Sequence, residues 1–209
     1  MYVWLDQPTS ENFQEYKNIF VKNISEEFFK TQDLIDRSTN MAMVSDIMRV
    51  ELVIKYGGIY VDIDAMAKRP FGPIFDQPFL CLRPVEIEST DSEARGLIYN
   101  HIFGMNKESA FLHFLLKVMR EDFDNSSATV ERTGPHLWRK ALLESEVTSP
   151  LQLIDWTFLL KPGHQAVVVD IPGDSVTNWW EMEGDKGESG PVYKIIKQLK
   201  NPRARIIFN

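Results

Sequence analysis

The chain has 209 residues, 44% of them hydrophobic and 25% charged, which is ordinary folded material and enough to bury a core within one domain. Its net charge of -7 speaks against a nucleic-acid partner, because a polyanion is bound through a basic footprint. Cys81 is the single cysteine, so no internal disulfide forms, and no apolar run reaches the roughly 20 residues that span a bilayer.

Residues 1–5 (MYVWL) predict a short buried strand, ended by the turn Asp6-Gln7-Pro8. A helix over 11–18, capped by Thr9 or Ser10, precedes a second strand at 19–21. A short amphipathic helix at 25–30 and a polar connection at 31–40 follow. They lead into the most informative stretch, SDIMRVELVIKYGGIYVDID, from Ser45 to Asp64.

In that stretch Ile47, Val50, Val53 and Ile54 recur at helical spacing and mark one buried face. Gly57 and Gly58 stop the helix, since glycine takes the left-handed cap conformation without steric cost. From Ile59 the period becomes two. Ile59, Val61 and Ile63 take one side of a strand, and Tyr60, Asp62 and Asp64 the other. Two carboxylates on one strand end repel each other and call for a cation or a shared proton. Ligands that are all oxygen favour Mg²⁺ or Mn²⁺, with substrate phosphates completing the shell. Upstream, Ser45, Asp46 and Arg49 share a helix face. That acceptor, donor and hydroxyl set suits the hydroxyls of a sugar, or else forms an ordinary solvated salt bridge.

After Asp64, Pro70 and Gly72-Pro73 mark a turn, with Lys68 and Arg69 either solvated or near phosphate. A strand at 79–82, an acidic irregular stretch at 86–93 and the segment LIYNHIF at 97–103 come next. The helical period returns at 111–123, and Thr133-Gly134-Pro135 opens a helix at 136–143. Strands are expected at 151–160 and 166–171. The segment DSVTNWW (174–180) precedes a glycine-rich acidic loop at 181–190, which suits a lid. The tail, 191–209, reads as a helix and then a strand at 205–208, with basic residues Lys194, Lys197, Lys200, Arg203 and Arg205.

The twenty residues from Ser45 resemble the (A/S)D-x-x-R…Y-GG-x-Y-x-D-x-D signature of the DxD sugar-binding glycosyltransferases. That group includes the yeast-type α-mannosyltransferases and the glucosylating domains of large clostridial toxins. The resemblance implies an α/β, GT-A-like fold with a central mixed, mostly parallel sheet flanked by helices. A Rossmann-like nucleotide half would cover about 1–65 and an acceptor half about 66–209, as one domain or a piece of a longer protein. It implies a UDP-sugar donor, a glycan or protein acceptor and Mn²⁺ or Mg²⁺. Asp62, Asp64, Arg49 and Asp46 would be catalytic, with Asp64 and Asp62 on the metal. Trp4 would stack on the base, Asn23 would touch the nucleotide, and Ser45, Tyr60 and Asn100, with His101 nearby, would line the pocket. The toxin branch closes its site with an acid-x-x-hydroxyl-x-Trp segment. Asp174, Thr177 and Trp179 fill that pattern, as third metal ligand and diphosphate contacts, with His164 and Asn178 as rival ligands.

Two other readings remain. Phosphotransferases of the haloacid-dehalogenase type also carry DxD after a hydrophobic strand, with the first Asp as nucleophile, but usually continue with glycine where this chain has Ala65-Met66. A non-catalytic sugar-nucleotide-binding domain is the other. The expected location is the cytoplasm, or a soluble domain of a longer protein.

Overall fold

The structure is a computed structural model that describes residues 1–6, 16–62, 65–67, 73–83, 97–124, 132–155, 168–170 and 204–207. Strands β1 (Tyr2–Leu5) and β2 (Phe20–Asn23) pair in parallel as a ribbon. The main sheet has five strands: β3 (Gly58–Val61), β5 (Phe79–Arg83), β6 (Leu97–Met105), β7 (Leu151–Asp155) and β9 (Ala204–Ile207), in the order β3-β6-β5-β7-β9. Strands β4 (Ala65–Ala67) and β8 (Val168–Asp170) form a small antiparallel pair.

The sheet is mixed, and helices pack against it, in keeping with the expected α/β architecture. The expected excess of parallel pairing is absent among the described residues. β6 runs antiparallel to both β3 and β5, while β5 with β7 and β7 with β9 are parallel. Parallel pairing requires a crossover, and helices α3 (Ala110–Asp122) and α4 (Pro135–Glu144) lie between β5 and β7 in the chain. β5 and β6 are consecutive strands, for which antiparallel pairing needs no crossover helix.

The helix that carries the informative stretch, α2 (Met41–Tyr56), starts ahead of Ser45 because the Asn40 side chain accepts from the Met43 N–H at 3.0 Å. It ends where expected. Gly57 has φ of +69° and its N–H donates to Val53 O at 2.8 Å. A Cβ there would stand 2.8 Å from Lys107 N, so only glycine fits. Ile47, Val50 and Val53 of α2, Leu115 and Met119 of α3, and Trp138 of α4 share one core with Leu80, Ile98 and Phe103 of the sheet. Trp138 meets Phe103 edge-on at 4.7 Å between ring centroids. No helix among the described residues is long and apolar enough to cross a membrane.

The amphipathic helix expected at 25–30 is absent. A 3-10 turn (Ile24–Glu26) stands there, and a helical turn, α1 (Gln32–Asp36), occupies the supposed polar connection. The cause lies in α2. The buried Glu51 carboxylate accepts from the N–H of Lys30 at 2.9 Å, the N–H of Thr31 at 2.6 Å and the Thr31 hydroxyl. This distant anchor fixes the chain at 30–31 and overrides the local period. Glu51→Ala leaves these donors without their acceptor and should cost about 3 kcal/mol in urea unfolding, with the m-value unchanged. A loss under about 1 kcal/mol would mean the anchor is replaceable.

The strands at 79–82, 151–160, 166–171 and 205–208 and the helices at 111–123 and 136–143 have counterparts in β5, β7, β8, β9, α3 and α4, several of them shorter or shifted at the ends. The helix expected at 11–18, the turn at 70–73 for the most part, the acidic stretch at 86–93 and the tail helix lie outside the described residues.

Candidate active site

β3 pairs with β6 so that Tyr60 stands opposite Phe103 and Val61 opposite Ile102. The Asp62 N–H donates to His101 O at 2.9 Å and extends that ladder to the first carboxylate of the DxD motif. Tyr60 packs on the core while Ile59 is 37% exposed, so the polar side of this edge strand is the side turned towards α2.

Arg49 is the hub of the site. Its Nε donates to Ser45 O at 3.2 Å, Nη1 to Asn100 O at 2.8 Å and Nη2 to the Ser45 hydroxyl at 2.9 Å. The same guanidinium ion-pairs with Asp46 Oδ1 at 3.3 Å and Asp62 Oδ1 at 3.2 Å. It lies over the Tyr60 ring, 4.8 Å from the centroid, and that ring stacks on Phe103 at 5.5 Å. A planar fork with five N–H donors is what this many-sided contact requires.

Asp46 is held from both oxygens: Oδ1 accepts from the Asn100 amide at 2.7 Å and Oδ2 from the Thr133 hydroxyl at 2.9 Å. Burial pushes its carboxyl up, against the downward pull of Arg49, Thr133 and Asn100. Burial likewise pushes the Tyr60 phenol up, Arg49 opposing, so the hydroxyl keeps its proton and donates it to Asp62 Oδ1 at 2.6 Å. The side chains of Arg49 and Asp46 are 8% and 9% exposed and that of Asp62 is 28% exposed, so Asp62 is the charge this network presents to solvent.

His101 is buried beside Arg49, edge-on to Tyr99 at 5.1 Å. Burial first, and the Arg49 charge second, pull its imidazole down to about 4, so it is neutral at physiological pH. Unfolded, it titrates near 6.5, so on acidification the unfolded chain takes up this proton first. Its share of stability is complete above about pH 6.5 and is lost as pH falls towards 4, about 3 kcal/mol in all. Urea unfolding from pH 7 to 4 should show a shallower slope in His101→Phe than in the parent chain. Equal slopes would contradict the assignment.

The structure thus brings together Ser45, Asp46, Arg49, Tyr60, Asp62 and Asn100. Two expected nucleotide contacts stand apart. Trp4 packs against Tyr56, at 5.3 Å, at the far end of α2. The seven steps from Arg49 to Tyr56 are about 10 Å of helix. Asn23 caps the following turn, its Oδ1 accepting from the Ser25 N–H at 3.1 Å and hydroxyl at 2.7 Å. Asp64, Asp174, Thr177, Trp179, His164 and Asn178 lie outside the described residues.

Among the described residues no group of three or more His, Cys, Asp or Glu could hold a metal ion. Asp62 fits part of such a site. It is an oxygen ligand, partly solvated, held in one orientation by Tyr60 and Arg49, as a hard divalent cation requires. The Thr133-Gly134-Pro135 tripeptide matches one common in the resembled family, which implies a turn beneath the acceptor site, or else it is an ordinary helix start; the contact of Thr133 with Asp46 is an addition to both readings.

Residues 3–80 match a family model described as a glycosyltransferase sugar-binding region containing a DXD motif. Over these residues the chain is similar to the DXD sugar-binding glycosyltransferases. The helix-to-strand unit built around Arg49 and Asp62 lies within the matched region. No curated protein matches the chain. Among solved structures it is similar to one described as PaToxG Glycosyltransferase, at 17% identity and a TM-score of 0.47. The match covers 61% of this chain and 48% of that one, so the chain spans about half the length of this neighbour.

Proposed function

We propose that this chain is a DXD-type glycosyltransferase that transfers a hexose from a nucleotide-diphosphate sugar, a UDP-sugar by family resemblance, to a glycan or protein acceptor. The observation that carries the reading is the 3.2 Å pair between Arg49 on α2 and Asp62 after β3, which fuses the D-x-x-R and DxD halves of the motif into one charged corner. Mn²⁺ or Mg²⁺ on Asp62 and Asp64, with Asp174 as third ligand, would supply Lewis-acid neutralisation of the diphosphate leaving group. The protein's part is to hold that corner ready. Tyr60 fixes the rotation of Asp62 through its hydroxyl. Arg49 balances the carboxylate pair and adds positive potential beside the leaving group, while Asp46 keeps Arg49 in place. Trp4 and Asn23 are assigned to the nucleotide end, Ser45 and Asn100 to the sugar end, and Thr177 and Trp179 to the diphosphate.

The phosphotransferase reading is weaker, because such enzymes usually continue their DxD with glycine where this chain has Ala65-Met66. Donor hydrolysis measured across a panel of nucleotide sugars tests the reading. Turnover with Mn²⁺ should fall by at least about 10²-fold in EDTA and return on adding Mn²⁺. Full turnover in chelator would sink the metal's role. No turnover and no binding for any member of the panel would sink the transferase reading itself.

A further inference from the structure

We propose that Thr133, just ahead of α4, is a positioning residue for sugar recognition, holding Asp46 against Arg49 and so Arg49 against Asp62. This rests on the reading of that corner as the donor-sugar site. Thr133 and Asp46 are 87 residues apart in sequence, yet the Thr133 hydroxyl donates to Asp46 Oδ2 at 2.9 Å in a fully buried position. A threonine ahead of a helix ordinarily caps it. Here α4 begins with Gly134 as its N-cap and Pro135 in its first turn, no side chain caps it, and the hydroxyl is turned to Asp46. The proline loses nothing by lacking an N–H at that position.

Asp46 needs both of its holders. Asn100 fixes Oδ1 through its amide and, through its carbonyl, receives Arg49 Nη1, so it sets the distance between the acid and the base. Thr133 fixes the second oxygen and with it the plane of the carboxylate. The plane matters because Arg49 approaches Asp46 at 3.3 Å and Asp62 at 3.2 Å from the two ends of a rigid fork. A carboxylate free to turn would release one end. Trp4 and Asn23, assigned to the base and ribose, lie outside this chain of contacts, so uridine, which carries no diphosphate, should be indifferent to it.

The test uses the full chain with Thr133→Val, which keeps shape and removes the hydroxyl, and Thr133→Ser, which restores it. Thr133→Ala carries the same measurements if the valine variant does not fold. Three quantities are read: the NMR signals of the Arg49 guanidinium N–H groups, the Kd for uridine, and kcat/KM for hydrolysis of the best UDP-sugar with Mn²⁺. In the valine variant the Arg49 signals should broaden and kcat/KM should fall about tenfold, while the uridine Kd stays within about twofold. Serine should restore both. Unchanged Arg49 signals, or equal losses in uridine binding and in kcat/KM, would overturn the role of Thr133. Arg49 signals that respond to Thr133 in a chain that binds no nucleotide sugar would overturn the donor-site reading instead.

Discussion

Replacing Arg49 by lysine should lower turnover of the nucleotide-sugar donor by about 10²- to 10³-fold, the loss typical of removing one preorganised donor from developing charge. Lysine keeps the charge, so net charge alone does not explain the drop. The guanidinium reaches Ser45 O, the Ser45 hydroxyl and Asn100 O, and faces Asp46 and Asp62 at the same time. One ammonium has three donors on a flexible stem and cannot satisfy that set. It also loses the planar stacking on Tyr60. Steady-state hydrolysis with Mn²⁺ should show the fall mainly in kcat, because the charge that Arg49 meets grows as the glycosidic bond breaks. A fall of less than about tenfold would mean Arg49 only shapes the fold.

Asp46→Ala should be the most destabilising single change in the site, by about 3 to 5 kcal/mol in urea or thermal unfolding. The pair it breaks is buried on both sides, with Arg49 and Asp46 at 8% and 9% exposure. Removal leaves the Arg49 charge short of one counter-ion, although Asp62 remains at 3.2 Å. The Asn100 amide and the Thr133 hydroxyl lose their acceptor in the same step. Each unsatisfied buried donor costs about 1 to 3 kcal/mol, so the sum lands in that range even with partial relief from Asp62. A loss under about 1 kcal/mol would show that water reaches the pair and screens it.

The local signals in the sequence held up where the partners are close in the chain. The 3.6 period through Ile47, Val50 and Val53, the stop at Gly57-Gly58 and the switch to period two at Ile59 all reappear in α2 and β3. The proline at the start of α4 does as well. Failures came from long-range contacts. Glu51 anchors residues 30–31 from twenty positions away and replaces an expected helix with a turn. Thr133 reaches Asp46 across 87 residues, which no spacing rule covers. The Asp46 and Arg49 pair read equally well as a solvated surface bridge. It is interior because α2 buries Met43, Asp46, Ile47, Arg49, Val50 and Glu51, so the face that carries the pair is turned inward. Ile59 shows the reverse. An apolar residue on an edge strand faces solvent because the polar side of β3 is the one covered by Arg49. Asn100 joined the site by family resemblance alone, since its place is set by the register of β6 on β3.

The most direct measurement is an anomalous-scattering map from crystals soaked with UDP and Mn²⁺. The account predicts a manganese peak bound by the carboxylates of Asp62 and Asp64 and by the diphosphate, with Arg49 still on Asp62. A nucleotide bound elsewhere, or an Asp64 side chain turned into the interior with no manganese beside it, would contradict it.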